Sequence, residues 1–196
     1  VGNGTVTNCS TVISVTPAAL HHFGIVLGAT QLPANSTFNL TVQVFDRYQN
    51  LNTSYNGTLN FTSSDGIPYP AILPANYTFD PLVDKGTAAF ANLTLYASGW
   101  QWIKIVDVQT GIFGLGWINI TPLDPFGIIL DLPNDTEVIA GMAITLTAHV
   151  FDRFDNPVKN GTMVIWSDIP GYANGTFDPA SRLTTTRDGI VAIQYT

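Results

Sequence analysis

Charge is scarce in this chain. Asp, Glu, Lys and Arg make up 11% of its 196 residues, where ordinary soluble domains carry about 25%. Seven basic residues against fourteen acidic ones give a net charge of −7. With no basic cluster to neutralise phosphates, nucleic acid is excluded as a partner. Cys9 is the single cysteine, so no internal disulfide can form. Glu137 is the single glutamate, so a glycosidase-type carboxylate pair would need two Asp, and no Asp sits in such a context. The histidines are His21, His22 and His149. They show no His-x-x-x-His or His-Glu-x-x-His spacing, and a lone Cys offers no Cys-x-x-Cys, so no metal site is expected. Gly-x-Ser-x-Gly and phosphate-loop patterns are also missing. No catalytic residue and no cofactor is therefore expected, and the chain does not read as an enzyme. No apolar run approaches the ~18 residues of a membrane span. The chain opens at Val1 without an initiator Met or a signal-type segment, which reads as a processed N-terminus or a boundary inside a longer protein.

What the chain does have is a repeat. Residues 41–50, TVQVFDRYQN, return as residues 147–156, TAHVFDRFDN. Each copy reads as a strand that ends at Asp-Arg-aromatic and then turns. Val42, Val44 and Phe45 are echoed by Ala148, Val150 and Phe151. Asp and Asn suit the turn because their side chains cap local backbone groups. FGIVL at 23–27 matches FGIIL at 126–130, and NGT at 56–58 matches NGT at 160–162. ANYTFDP at 75–81 matches ANGTFDP at 173–179, and KGTAAF at 85–90 matches DGIVAI at 188–193. The order is kept and the spacing drifts only in loops, so the chain holds two copies of one domain, about 100 residues each.

Alternating apolar residues predict strands at 23–27, 38–45, 58–61, 77–79, 87–96, 100–108 and 115–120 in the first copy. The second copy has them at 127–132, 143–151, 162–166, 175–177, 181–186 and 190–196. Gly, Asn and Asp punctuate them, and no stretch has helical periodicity. The expected fold is all-β: two tandem Ig-like antiparallel β-sandwiches with an N-terminal extended strand. The arm is 1–17, the first domain 18–121, the linker 122–125 and the second domain 126–196. Pro122 and Pro125 stiffen the linker and predict an elongated pair.

Polarity comes from Asn and Thr rather than from charge. Asn3, Asn8, Asn35, Asn39, Asn52, Asn56, Asn60, Asn76, Asn92, Asn119, Asn134, Asn160 and Asn174 each open an N-x-[ST] sequon. Only Asn50 and Asn156 do not. Chance placement would give about two or three such sites, so N-linked glycans are expected as the polar coat. That places the chain outside the cell, on a cell surface. Dense sequons without disulfides suit an archaeal surface protein.

Aligning Gly86 with Gly189 sets Leu93 on Thr196. Within these residues the second domain therefore has no counterpart of the 100–108 and 115–120 strands. Such a sandwich exposes a hydrophobic groove and unpaired backbone groups. The arm is a strand without a partner, with Cys9, Thr11, Ile13 and Val15 on one face. The two defects are complementary. An arm from one subunit entering the groove of the next would build a head-to-tail homopolymer of identical subunits, a pilus-like filament, by donor-strand complementation. The competing expectation is a longer tandem array, a stalk of an S-layer protein or adhesin. A third is a carbohydrate-binding accessory module using Trp100, Trp102 and Trp117, although alternation suggests that at least Trp102 or its neighbours serve the core, and the core is the expected use of these rings. Asp46 and Asp152 are expected to cap their turns rather than bind calcium. Lys104 is expected on an exposed face rather than in a buried isopeptide site.

The pattern L-T-A-x-V-x-D-x-x-x-N-P-V-x-x-G-T at 146–162, G-T-F-D-P at 175–179 and T-x-x-D-G-x-V at 185–191 resembles bacterial Ig-like repeats of the invasin and intimin class. The first domain fits more loosely, with Leu51 in place of the Pro after Asn50. The resemblance implies spacer, stalk or adhesin modules. The architecture also resembles glycosylated archaeal surface filaments such as threads, which implies an N-terminal strand donated to the next subunit.

Overall fold

A computed structural model describes residues 15–131, 139, 141–168 and 175–196. Among them there is no helix, hence none long and apolar enough to cross a membrane. The first half holds β1 (His22–Leu27), β2 (Gln31–Pro33), β3 (Thr37–Phe45), β4 (Thr58–Ser63), β5 (Tyr77–Thr78), β6 (Thr87–Thr94), β7 (Gly99–Asp107) and β8 (Phe113–Thr121). The second half holds β9 (Gly127–Asp131), β10 (Ile144–Phe151), β11 (Met163–Ile165), β12 (Phe177–Asp178), β13 (Leu183–Thr185) and β14 (Ile190–Tyr195).

The first half is a sandwich of a three-stranded sheet, β1-β3-β6, against a five-stranded sheet, β2-β8-β7-β4-β5. All pairs are antiparallel except β2 with β8. The reason lies in the alternation. On β3, Phe38, Leu40, Val42 and Val44 point inward, while the residues between them face out or lie half-buried. Leu59 and Phe61 of β4, Ile103 and Ile105 of β7, and Ile118 and Ile120 of β8 meet them from the other sheet. Each such side chain contributes roughly 1.5–3 kcal/mol on burial, so a one-residue slip of any strand would forfeit its whole inward set.

The second half pairs a four-stranded sheet, β12-β14-β10-β9, with a two-stranded one, β11-β13. Its core is smaller: Ala148, Val150, Val158, Trp166, Phe177, Val191 and Ile193.

The expected strands are found within two residues of their bounds, and β2 is an addition. Two sequence matches do not survive as structural equivalence. FGIVL and FGIIL share a strand position but not a register: Gly24 pairs with Gln43, whereas Gly127 pairs with Phe151. Since residue 45 corresponds to 151, the shift is of two residues, which preserves the inward face. In both cases the missing side chain makes room for the ring of Phe45 or Phe151. The second mismatch is in the TFDP motif. β5 pairs with β4, but β12 pairs with β14 in the opposite sheet. The place beside β11 goes to β13, with Met163 opposite Thr185 as Thr58 is opposite Thr78.

Candidate functional site

Three surfaces carry the functional argument: a clamp at the start of each sandwich, an open cleft in the second, and an outer face bearing aromatic rings and sequons.

The clamp is built by the organising repeat. Asp46 ends β3 and is buried. Its Oδ1 accepts the N–H groups of Tyr48 (2.8 Å) and Asn50 (2.9 Å), and its Oδ2 accepts the Asn50 amide (3.1 Å) and the Ala18 N–H (3.0 Å). Asp152 ends β10 with the same set: Phe154 N–H (2.8 Å), Asn156 N–H (3.0 Å), Asn156 amide (3.0 Å) and Leu123 N–H (2.9 Å). Each carboxylate therefore closes its turn and grips the chain entering its sandwich. Burial alone would raise the Asp46 carboxyl, but these donors outweigh it and hold it at about 2. Carboxylates so filled by N–H donors have no oxygen free for calcium, and the capping role expected of them is what they perform. Gly86 and Gly189 stand behind the clamps, their carbonyls accepting the N–H groups of Val44 and Val150. Their φ angles of 82° and 75° suit only glycine.

The second clamp also joins the sandwiches. The Asn156 amide donates to Tyr96 O (2.8 Å), and its oxygen accepts Ser98 N–H (2.7 Å). Phe154 packs against Tyr69 and Tyr96, with centroids 5.2 and 4.9 Å away. Asp65 fixes the receiving loop by accepting Tyr96 and Ala97 N–H; burial nonetheless pushes its carboxyl up. At the far end of β7, Tyr55 donates to Asp107, which also accepts Gln109 and Thr110 N–H. Burial and that bond push the Tyr55 hydroxyl well up. Asp107, which burial alone would raise, is drawn below the usual range by its donors.

The cleft lies between β9 and β11. In the first sandwich, β8 lies across β1 and β7 pairs with β4, closing the same gap. There a side chain at Gly114 would meet Phe23 and Ile25, and one at Gly116 would meet Ile25 and Leu27. In the second sandwich Ile128 and Leu130 take the positions of Phe23 and Ile25, and they are 56% and 46% exposed. Phe126, Gly127, Ile128, Val150, Met163 and Val164 line a cleft of about 280 Å³ there. Of the expected donor face, Val15 is exposed; Cys9, Thr11 and Ile13 lie outside the described residues.

The outer face of the five-stranded sheet corrects the expectation for the tryptophans. Gln101, Ile103 and Ile105 point inward, so the residues between them point outward. Trp100 is 67% and Trp117 54% exposed, and Trp102 pairs across the strands with Trp117. Lys104 shares this face, with its Nζ 4.8 Å from the Phe113 ring, so no buried isopeptide geometry exists. Asn119 sits opposite Trp100.

Among the sequons, Asn35, Asn39, Asn56, Asn76, Asn92 and Asn160 are exposed, and Asn60 and Asn119 are half-buried. Asn3, Asn8, Asn134 and Asn174 lie outside the described residues. Asn52 is a correction. It is buried, and its amide nitrogen donates to Ala18 O (3.0 Å), so the atom that would carry a sugar is enclosed and already bonded. Nothing in the Asn52-Thr-Ser sequon distinguishes it; only its distance from the turn repeat marks it. His149 is exposed and contacts Asp131 (2.8 Å). Glu137 lies outside the described residues, and among those described no three His, Cys, Asp or Glu side chains gather as metal ligands.

No family model matches the sequence, and no curated protein is similar to it. Among solved structures, the chain is similar to the adhesin FdeC of Escherichia coli, at 14% identity and a TM-score of 0.47, over 93% of this chain and 58% of that one. It therefore spans little more than half of that structure. It is similar to the superoxide reductase (neelaredoxin) of Ignicoccus hospitalis, at 17% identity and a TM-score of 0.37, over 53% of this chain and 82% of that one. It is also similar to domains 5-6 of the S-layer protein SbsC, at 16% identity and a TM-score of 0.34, over 90% of this chain and 83% of that one. These likenesses are distant, and the fold rests on the sheets described above.

Proposed function

We propose that this chain is a structural subunit of an extracellular, N-glycosylated cell-surface filament, assembled head to tail by strand complementation. The observation that carries the reading is the open cleft of the second sandwich, with Ile128 and Leu130 exposed where their counterparts are covered. The strand that would fill it is written at the other end of the chain. VISVTP at 12–17 repeats the pattern of WINITP at 117–122, the end of β8 and its exit. On that match Cys9, Thr11, Ile13 and Val15 fall where β8 places Gly114, Gly116, Ile118 and Ile120, its inward face. Identical subunits are the partner, and no catalysis is involved. Exposed sequons supply the polar coat that the sparse charge does not.

The test is electron microscopy and intact mass of the native protein, with and without residues 1–16. Filaments that vanish on removal of the arm support the reading; filaments that persist without it end it.

A second reading, a stalk of tandem sandwiches, is favoured by one observation. The gap between β1 and β4 is closed by two strands, β7 and β8, and the arm resembles only the second. In a stalk both strands belong to one polypeptide, so the intact mass decides. A third, carbohydrate binding, is favoured by the outward Trp100 and Trp117. Saturable glycan binding lost on Trp100→Ala would support it.

A further inference from the structure

The outer face of the five-stranded sheet sets a sequon among tryptophans. Asn119 of β8 pairs directly with Trp100 of β7, and Trp117 pairs with Trp102. Residues so opposed hold their Cβ atoms about 4.5–5.5 Å apart. Trp117 lies two residues before Asn119 on the same strand, so it shares the outward face about 6.5–7 Å away. Thr121, which completes the sequon, falls on that face as well. Trp100 and Trp117 are more than half exposed, and with the exposed Phe113 and Leu115 they leave an apolar strip open to water. Other sequons differ. Tyr55, beside Asn56, is buried, and Phe90, two residues before Asn92, packs on Phe61 and Tyr77. The amide nitrogens of Asn52 and Asn60 are bonded to Ala18 O and Asn76 Oδ1. Among the described residues no such bond holds the Asn119 amide, and Asn119 also borders a cleft of about 420 Å³ shared with Ser98, Lys159 and Asn160.

We infer that an N-linked glycan on Asn119 folds back over Trp100 and Trp117, so that these rings seat the chain's own sugar. This rests on the N-glycosylated reading above. A pyranose presents C–H groups on its faces and hydroxyls around its rim. The faces cover the apolar area of an indole, while the hydroxyls accept from the indole N–H or stay in water. Two observations choose the occupant. First, the attachment residue stands one strand spacing, about 4.8 Å, from the strand that carries Trp100. Second, the ring on its own strand is the nearest neighbour on the same face. A sugar tethered at such short range has an effective concentration of about millimolar or more, which favours it over a weakly held free glycan. The covered strip then meets solvent with hydroxyls, in a chain with few charges for that task.

The experiment is glycopeptide mapping, hydroxyl-radical footprinting and proton NMR of the dispersed native glycoprotein beside Asn119→Gln, which keeps an amide but removes the acceptor. Asn119 is expected to carry a sugar. A sugar on one face hides roughly half of an indole, so labelling of Trp100 and Trp117 should rise about twofold in the variant. Tyr48, exposed and outside this face, should be labelled as before. Ring currents should shift protons of the Asn119 sugar upfield, and Trp100→Ala should return them towards ordinary positions. A sugar on Asn119 with labelling and proton shifts unmoved, as for a glycan lying in the cleft, overturns the seat and leaves glycosylation standing. A bare Asn119 beside sugars on other sequons does the same. No sugar on any sequon overturns both readings. Thr121→Val, which removes the sequon and leaves Asn119 in place, serves if Asn119→Gln does not fold.

Discussion

The joint within the chain can be weighed against an internal control. Asn156→Ala removes a bond to Asp152 and two bonds across the joint, to Tyr96 O and from Ser98 N–H. Asn50→Ala removes only the corresponding bond to Asp46. The turn bonds are nearly the same length, 3.0 and 3.1 Å, so their loss should cost about the same, roughly 1.5–2 kcal/mol for a bond to a carboxylate. The joint bonds are neutral, and Tyr96 and Ser98 are only half-buried, so water replaces part of what is lost. About 1–2 kcal/mol remains for the two together. In calorimetry of the full chain, Asn156→Ala should therefore lower its transition by about 5–10 °C more than Asn50→Ala lowers its own. Amide exchange at Ser98 should quicken in Asn156→Ala and not in Asn50→Ala. Equal thermal costs with an unmoved Ser98 would refute the claim that these bonds hold the sandwiches together.

Other outcomes follow from the same geometry. Gly86→Ala and Gly189→Ala should each cost about 2 kcal/mol or more in thermal melts, because a Cβ would meet Asn52 O and Pro157 Cβ, each at 2.7 Å. Apart from the contribution of Asp65, thermal midpoints should be level between about pH 4 and pH 10 and fall on either side. The lowered Asp46 and Asp107 contribute stability above the ordinary carboxylate range and lose it as pH falls through their folded values, about 2 for Asp46. The raised Tyr55, and Tyr77 raised by its bond to Asp84, contribute below the ordinary phenol range and lose it in alkali. Asp65 works in the opposite sense, since its raised carboxyl gains stability as pH falls from its folded value to the ordinary carboxylate range and no further below it; a rise in midpoint on acidification towards about pH 4, lost in Asp65→Asn, would show it. Glycopeptide mapping should find Asn52 bare, and a sugar there would contradict its bond to Ala18. In protein without a glycan on Asn119, Trp100→Ala and Trp117→Ala should move stability by less than about 0.5 kcal/mol, since the rings face outward.

The sandwich fold was legible because inward residues recur with period two and turns carry Asn, Asp and Gly. Val42 and Val44 against Ala148 and Val150 needed no structure to be placed inside. The tryptophans were misread because alternation shows that β7 has two faces without saying which one is inward. Ile103 and Ile105 fix the inward phase of β7, and Trp100 and Trp102 fall on the other one. The TFDP match misled for a different reason. Short edge strands are held by few bonds, so Phe177 and Asp178 can join β14 while β13 takes the place beside β11. The clamp was half legible. Asp-x-x-x-Asn announced the capped turn, but the fourth bond reaches back 28 residues to Ala18 and 29 to Leu123, which no local pattern records.

That long-range bond explains why the repeat is organised as it is. Two prolines fix two φ angles of the linker but leave ψ free, so a Pro-rich linker alone stiffens without orienting. Asp152 removes the remaining freedom at Leu123, and Asn156 and Phe154 then hold the sandwich against rotation. One carboxylate thus ties together the entering chain, the turn and the contact with the previous sandwich. A Coulombic pair placed there would weaken with salt. Apart from the carboxylate, the clamp uses amide and backbone groups, in keeping with a chain that carries 11% charged residues.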